Sequence, residues 1–246
     1  MGVIIGVFLL AGLVKGVIGL GLPTIAMGLL STSMEPAAAA SLLIIPSLIT
    51  NIWQLLIGPQ FMALIKRLSG FIIGVVLGTV FSFLPSLTSA SYWTLPALGI
   101  VLIIYGIWGL IAKKMPSFEK HEIWLSPTVG YITGVITAAT GVFVIPAVPY
   151  LQTLKLNKNE LIQALGLAFT ASTVALAIKL SIDQQQYDIN WRLSAFALIP
   201  AIGGMYLGQF FRKIISEKLF RRCFFIGLIG LGIYMATKLA FRWPVN

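Results

Sequence analysis

Long apolar blocks separated by short polar segments make up almost the whole chain. Residues 37–58, 69–86, 92–112, 160–180, 191–210 and 219–240 each approach the roughly 20 apolar residues that a helix needs to cross a bilayer. Pro46 marks a kink in the first of them. Two other stretches break in the middle: residues 3–14 and 18–31 form one pair of short pieces, and 128–139 and 142–152 form another. Each pair predicts a re-entrant hairpin of two half-helices. Two short but full crossings are the alternative, since either arrangement returns the chain to the side it came from.

The two breaks echo one another. Gly12 to Pro23 reads Gly-Leu-Val-Lys-Gly-Val-Ile-Gly-Leu-Gly-Leu-Pro, and Gly134 to Pro146 reads Gly-Val-Ile-Thr-Ala-Ala-Thr-Gly-Val-Phe-Val-Ile-Pro. Gly12 matches Gly134 and Gly19 matches Gly141 at an offset of 122, and Pro23 matches Pro146 at 123. Later helices repeat too: Gly78 matches Gly204 and Gly106 matches Gly232 at an offset of 126. The chain therefore divides into a first repeat over 1–112, a cytoplasmic linker over 113–127 and a second repeat over 128–246. Each repeat holds one hairpin and three crossings. An odd number of crossings turns the second repeat upside down, as in inverted-repeat transporters. The predicted fold class is an all-α polytopic membrane protein of two inverted repeats.

Composition agrees. The chain is 58% hydrophobic and 10% charged, against about 25% charged in soluble domains. The net charge of +10 then reads as loop charge that sets orientation, and nucleic acid is not an expected partner. With the hairpins re-entrant, one side receives Lys66, Arg67, Lys113, Lys114, Lys120, Lys155, Lys158, Arg212, Lys213, Lys218, Arg221 and Arg222. The other receives Lys179, Arg192, Lys238 and Arg242. Letting each broken segment cross once instead makes the split nine to seven. The positive-inside rule favours the first arrangement and puts both termini outside. Trp93, Trp124, Trp191 and Trp243 fall near span ends, where an aromatic belt belongs. The N-terminus has no basic n-region and reads as mature structure.

If the hairpins dip to mid-membrane, glycine permits the reversal. Pro23 and Pro146 suit the first position of each returning helix. Two helix N-termini near the midplane would present unpaired N–H groups and partial positive charge to an anion. Close helix packing is the other use of such glycines. Lys15 lies in the first broken segment, where a charge costs at least about 2.5–3.5 kcal/mol. It reads either as the counter-charge of an anion or as a structural donor to hairpin carbonyls. Thr137 holds the matching position in the second repeat.

Ser47, Thr50, Asn51 and Gln54 share one helix face. At an offset of 123, Ser47 matches Thr170 and Thr50 matches Thr173. Thr140 stands at the second break. These neutral groups suit an oxyanion, and equally suit interhelical hydrogen bonds. The expected substrate-binding set is Lys15, Gly19, Leu20, Gly21, Leu22, Ser47, Thr50, Asn51, Thr140, Gly141, Val142, Thr170 and Thr173, with backbone donors reaching to Ile145.

Other chemistry is excluded by residue type. The acidic residues Glu35, Glu119, Glu122, Glu160, Asp183, Asp188 and Glu217 avoid span centres, so no buried carboxylate relay is visible. His121, the single histidine, lies in a polar loop, and Cys223 is the single cysteine. No catalytic triad or metal cluster follows from them, and no cofactor is expected. Gly-Leu-Gly at 19–21 follows no strand and is no dinucleotide fingerprint.

With the paired motifs Lys15 to Pro23 and Thr140 to Pro146, the run Pro46-Ser47-Leu48-Ile49-Thr50-Asn51, and the duplicated plan, the chain resembles the sulfite exporter TauE/SafE family, also called the toluene sulfonate uptake permease family. The resemblance implies movement of sulfite, sulfonates or related oxyanions across a bacterial cytoplasmic membrane. Many members carry three adjacent glycines in the motif, and neither copy here does. Another anion, uptake instead of export, and a non-transporting membrane scaffold are the alternatives. The apolar outer faces permit a homodimer without demanding one.

Overall fold

The computed structural model describes residues 1–88, 94–112, 117, 119–183 and 190–240. Trp93, Trp243, Lys113, Lys114, Asp188 and Arg242, and the side chains of Glu217 and Lys238, lie outside that description. The helices are α1 (Gly2–Ile18), α2 (Leu22–Leu30), α3 (Pro36–Leu56), α4 (Phe61–Arg67), α5 (Ser69–Val80) and α6 (Thr94–Ile111). A short 3-10 turn at Glu119–His121 leads into α7 (Glu122–Thr140), α8 (Ala147–Gln152), α9 (Lys158–Ile182), α10 (Trp191–Phe211) and α11 (Glu217–Ala240). No strand occurs among the described residues.

Five helices, α3, α6, α9, α10 and α11, are long and apolar enough to cross a membrane. The pair α4–α5, bent by 62°, makes a sixth if taken as one span. These helices overlap the six stretches expected from the sequence to cross, but the boundaries differ in several places. The span expected at 69–86 ends at Val80, ahead of Ser82 and Pro85, which disfavour helix. Residues 61–67, expected as loop, form α4. α7 begins at Glu122, six residues before the expected 128, and runs through Pro127. The prolyl ring there lies against Gly70. α9 starts where Asn157 accepts from the N–H groups of Asn159 and Glu160 while Glu160 accepts from the N–H of Asn157, a reciprocal capping box.

The helices close a ring. α1 packs on α10, α10 on α3, α3 on α9, α9 on α5, and α5 on α7, while α6 and α11 pair and bridge α7 back to α1. The short helix α2 touches α1, α3, α6 and α11. Leu22, Ala26, Met27 and Leu30 of α2 have no exposed surface.

Glycines set the tightest crossings, where a side chain would collide with a neighbouring backbone. Gly12 lies on the carbonyl of Ala201, and Gly204 on that of Leu9. In the pair α5–α7, Gly134 lies on the carbonyl of Val75 and Gly78 on that of Tyr131. Each contact in the first pair maps onto one in the second under the sequence offsets of 122 and 126. The pair α6–α11 maps onto itself: Gly99 meets the carbonyl of Gly232, and Gly106 meets that of Phe225. This recurrence fits two halves related by inversion.

The contacts also orient the helices. Along α1–α10 and α5–α7 residue numbers rise together, whereas along α3–α9 and α6–α11 one rises as the other falls. Among the described residues, basic side chains gather where α4 and α10 end and α7, α9 and α11 begin. There Arg67 accepts no bond but donates two, to both carboxylate oxygens of Glu122 at 2.8 Å, and a third to the Leu154 carbonyl. Lys155 bridges to Glu119 at 3.1 Å. At the opposite end Asp183 accepts from Ser86 at 2.6 Å and Thr88 at 3.0 Å and pairs with Lys179 at 3.2 Å.

A buried lysine at a glycine break

The first break is built by two glycines in the left-handed region. α1 continues past Lys15, beyond the expected end at residue 14, until Gly19 adopts φ 85° and returns its N–H to the Lys15 carbonyl at 2.7 Å. Gly21, with φ 104°, caps the start of α2. Side chains avoid both conformations. Pro23 is the second residue of α2, not the first, but that position equally needs no donor. No hydrogen bond reaches the N–H of Leu20, Gly21, Leu22 or Thr24 among the described residues. The Thr24 hydroxyl is buried and likewise without a partner. Unpaired buried donors are rare and costly in proteins.

Lys15 sits one turn before this break and is 3% exposed. Its ammonium donates to the Thr50 hydroxyl at 3.0 Å and to the Asn51 side-chain oxygen. Thr50 in turn donates to the Pro46 carbonyl at 2.7 Å, and the Asn51 amide donates to Ser47 Oγ at 3.3 Å. Lys15, Ser47, Thr50 and Asn51 therefore come together across α1 and α3. The cation has only neutral partners; no carboxylate pairs with it among the described residues. One ammonium hydrogen and the Ser47 hydroxyl hydrogen have no acceptor within the cluster.

The second break is differently made. Gly141 ends α7 at φ 70° with its N–H on the Thr137 carbonyl. Helix then waits until Ala147, so Pro146 precedes α8 instead of opening it, and α8 has only six residues. Val142, Val144 and Ile145 are β-branched, and the proline after Ile145 disfavours helix there. Thr140 accepts from the Val142 N–H while its own hydroxyl donates to Ile136. The N–H groups of Phe143, Val144, Ile145 and Ala147 have no partner among the described residues. Gly141 meets the Met27 side chain on α2, so this break touches the flank of the first hairpin.

The remaining expected residues lie apart from Lys15's hydrogen bonds. Thr170 donates to Gly166 and Thr173 to Phe169, each within α9. Thr173 lines an apolar cavity of about 480 Å³ between α3 and α9 that reaches Trp191. Thr140 lines a second apolar cavity of about 250 Å³ beside α6.

Two features escaped the sequence reading. Thr24 gave no signal beyond its place after the proline. Gln163 did, as a lone amide in an apolar span. It donates to the carbonyls of Leu55 at 2.8 Å and Gly58 at 2.7 Å and accepts from the Gln60 N–H at 3.0 Å. Gln54 reciprocates by donating to the Ile162 carbonyl at 2.9 Å. The two amides bind α3 to α9 beside the lysine cluster.

Chemically the cluster offers positive charge and hydrogen-bond donors, with no nucleophile and base. No set of three or more His, Cys, Asp or Glu able to hold a metal occurs among the described residues. Positive charge with spare donors suits an anion. Comparison with curated proteins and with solved structures finds no match. The description of the sulfite exporter TauE/SafE family matches residues 4–235 of the 246, nearly the whole chain. The chain is thus a multi-pass membrane transporter of sulfur-containing anions, not an enzyme, and it belongs to the TauE/SafE family.

Proposed function

We propose that the protein exports a small sulfur oxyanion, sulfite or an organosulfonate, from the bacterial cytoplasm and binds it at the first break. One observation carries this reading: Lys15 is a buried lysine that only neutral groups touch. A buried charge without a counter-ion is expensive, and an anion beside it supplies the missing charge. Thr50 and Asn51 aim the ammonium. The third ammonium hydrogen, the hydroxyls of Ser47 and Thr24, and the N–H groups of Leu20, Gly21, Leu22 and Thr24 are the donors left for the oxyanion oxygens. The second break, from Gly141 to Ile145, adds backbone donors from the other repeat, and the hydroxyls of Thr140, Thr170 and Thr173 become donors to the anion only by turning from the carbonyls of Ile136, Gly166 and Phe169 that they now bond.

In this reading the two repeats are inverted and the basic end of the bundle is cytoplasmic, in keeping with the positive-inside rule. Both termini are then outside. An inside-negative potential favours anion exit by about 2.3 kcal/mol per charge per 100 mV, so export needs no coupled ion.

The test is sulfite flux in proteoliposomes under an imposed potential, wild type beside Lys15→Gln. Potential-driven flux that is lost in folded Lys15→Gln is the expected result. Flux equal in both proteins would return Lys15 to a structural role, and flux that ignores potential but follows a proton gradient would overturn the coupling. Absence of flux for sulfite, thiosulfate and sulfonates alike, in folded wild type, would favour a scaffold.

A further inference from the structure

A second group of unpaired donors lies outside the lysine cluster. On α6, Tyr105 and Trp108 stack with ring centroids 6.0 Å apart and planes 12° from parallel. Tyr105 has no exposed surface, and its hydroxyl has no hydrogen-bond partner among the described residues. The Trp108 indole N–H is buried and equally unpartnered. On the facing helix α11, Phe225 meets the Tyr105 ring edge-on at 5.2 Å, and the Arg221 guanidinium lies 5.5 Å from the Phe225 centroid. Phe224, next in sequence, rests 3.2 Å from the position a side chain would take on Gly21 of the first break. The group thus lies between that break and the basic end, where α6 finishes and α11 begins.

A buried tyrosine hydroxyl or indole N–H without an acceptor has given up its hydrogen bond to water for nothing and is uncommon in folded proteins. Two such unpaired donors three residues apart on α6, with the Arg221 guanidinium on the facing helix against Phe225, call for an acceptor carrying negative charge. The indole donates only, and the guanidinium donates only. A neutral ligand would satisfy the first and leave the cation unmatched; an oxyanion satisfies both.

We propose that Tyr105, Trp108 and Arg221 form a second oxyanion station, occupied on the way between the basic face and the Lys15 site. The station rests on the transport reading above. The same oxyanion chemistry could be supplied by a soluble anion or by a phospholipid headgroup.

Equilibrium binding of radiolabelled sulfite to purified full-length protein tests it. Two equivalents should bind the wild type and one should bind Lys15→Gln. One should also bind Trp108→Phe, Tyr105→Phe and Arg221→Gln; Tyr105→Phe removes the hydroxyl alone, and Trp108→Phe removes the N–H while keeping an aromatic ring in the stack. A station filled by lipid instead would show as a phospholipid that copurifies with wild type and is lost in those three variants, with one sulfite equivalent throughout. One equivalent that Lys15→Gln abolishes, with neither sulfite nor lipid changed in the station variants, overturns the station and leaves the proposed function standing. Failure of the wild type to bind any sulfite or lipid phosphate overturns the station, and the absence of sulfite removes support from the transport site as well.

Discussion

Gly12 and Ala201 approach so closely that any side chain on the glycine would run into the alanine carbonyl. The contact is backbone against backbone, and no rotamer change relieves it. Gly12→Ala should therefore cost about 1–3 kcal/mol, the usual range for overpacking a tight site. Gly134→Ala, facing Val75 in the matching crossing, should cost a similar amount. Gly203→Ala, where nothing lies within 4 Å, is the control and should stay within about 0.5 kcal/mol. Thermal unfolding in detergent separates the three. Equal stability across them would mean that the crossings are looser than the structure shows.

Removing Asn51 strands the lysine. Asn51→Leu leaves a buried ammonium with Thr50 alone, and losing a hydrogen bond to a charged group typically costs about 1.5–3 kcal/mol. Lys15→Met placed on top should recover most of that stability, because charge and partner then go together. Flux should not recover. A double variant that regained transport would separate Lys15 from substrate binding.

Gln163→Leu abandons two backbone carbonyls and one backbone N–H at the α3–α9 crossing. At about 1–3 kcal/mol for each buried group left unpaired, it should be among the most damaging single changes in the chain. Gln163→Glu keeps an acceptor for the Gln60 N–H and loses both donors. Its loss of thermal stability at neutral pH should be at least as large, because it also buries a charge. A mild effect in both variants would count against the crossing as a fixed joint.

Asp183 gives the opposite end of the bundle a pH dependence. Burial alone would raise its pKa, but hydrogen bonds from Ser86, Lys179 and Thr88 outweigh that and hold the carboxyl below its ordinary value. A depressed carboxylate contributes stability above its unfolded pKa of about 3.9 and loses it as pH falls further, through the folded value. Wild type should therefore lose more stability below about pH 4 than Asp183→Asn does. Parallel melting-temperature curves for the two proteins across that interval would show that the contacts from Ser86 and Thr88 carry no weight.

Much of this was legible in the chain because membrane solvent enforces a simple grammar. Apolar length located the long helices, and glycine recurrence located the two breaks and positions that turn out to lie at tight crossings. Lys15, Thr50 and Asn51 were expected in one site, but the structural partners expected for the lysine were hairpin carbonyls, and it donates instead to the two α3 side chains. What escaped reading was geometry set by packing. That α1 would run on to Ile18 depended on Gly19, not the earlier Gly16, taking the left-handed turn. The second break was expected to copy the first, but β-branched residues at 142, 144 and 145 held it open and left α8 short. Nothing in local sequence could pair Gln163 with Gly58 or stack Trp108 on Tyr105, because those depend on which helices become neighbours.

The ring order has a consequence for how the protein comes to exist. Its principal interfaces, α1–α10, α3–α9, α5–α7 and α6–α11, each join a helix from the first half to one from the second. During synthesis α1 enters the bilayer long before position 201, which carries its docking surface, has been made. The first half must therefore wait in lipid with its glycine faces uncovered and Lys15 already inserted. Membrane insertion and folding are separate events for this chain, and the second can finish only when α10 and α11 arrive. The halves are duplicated in plan yet interleaved in space, so neither constitutes a domain that could be exchanged or expressed as a folded unit.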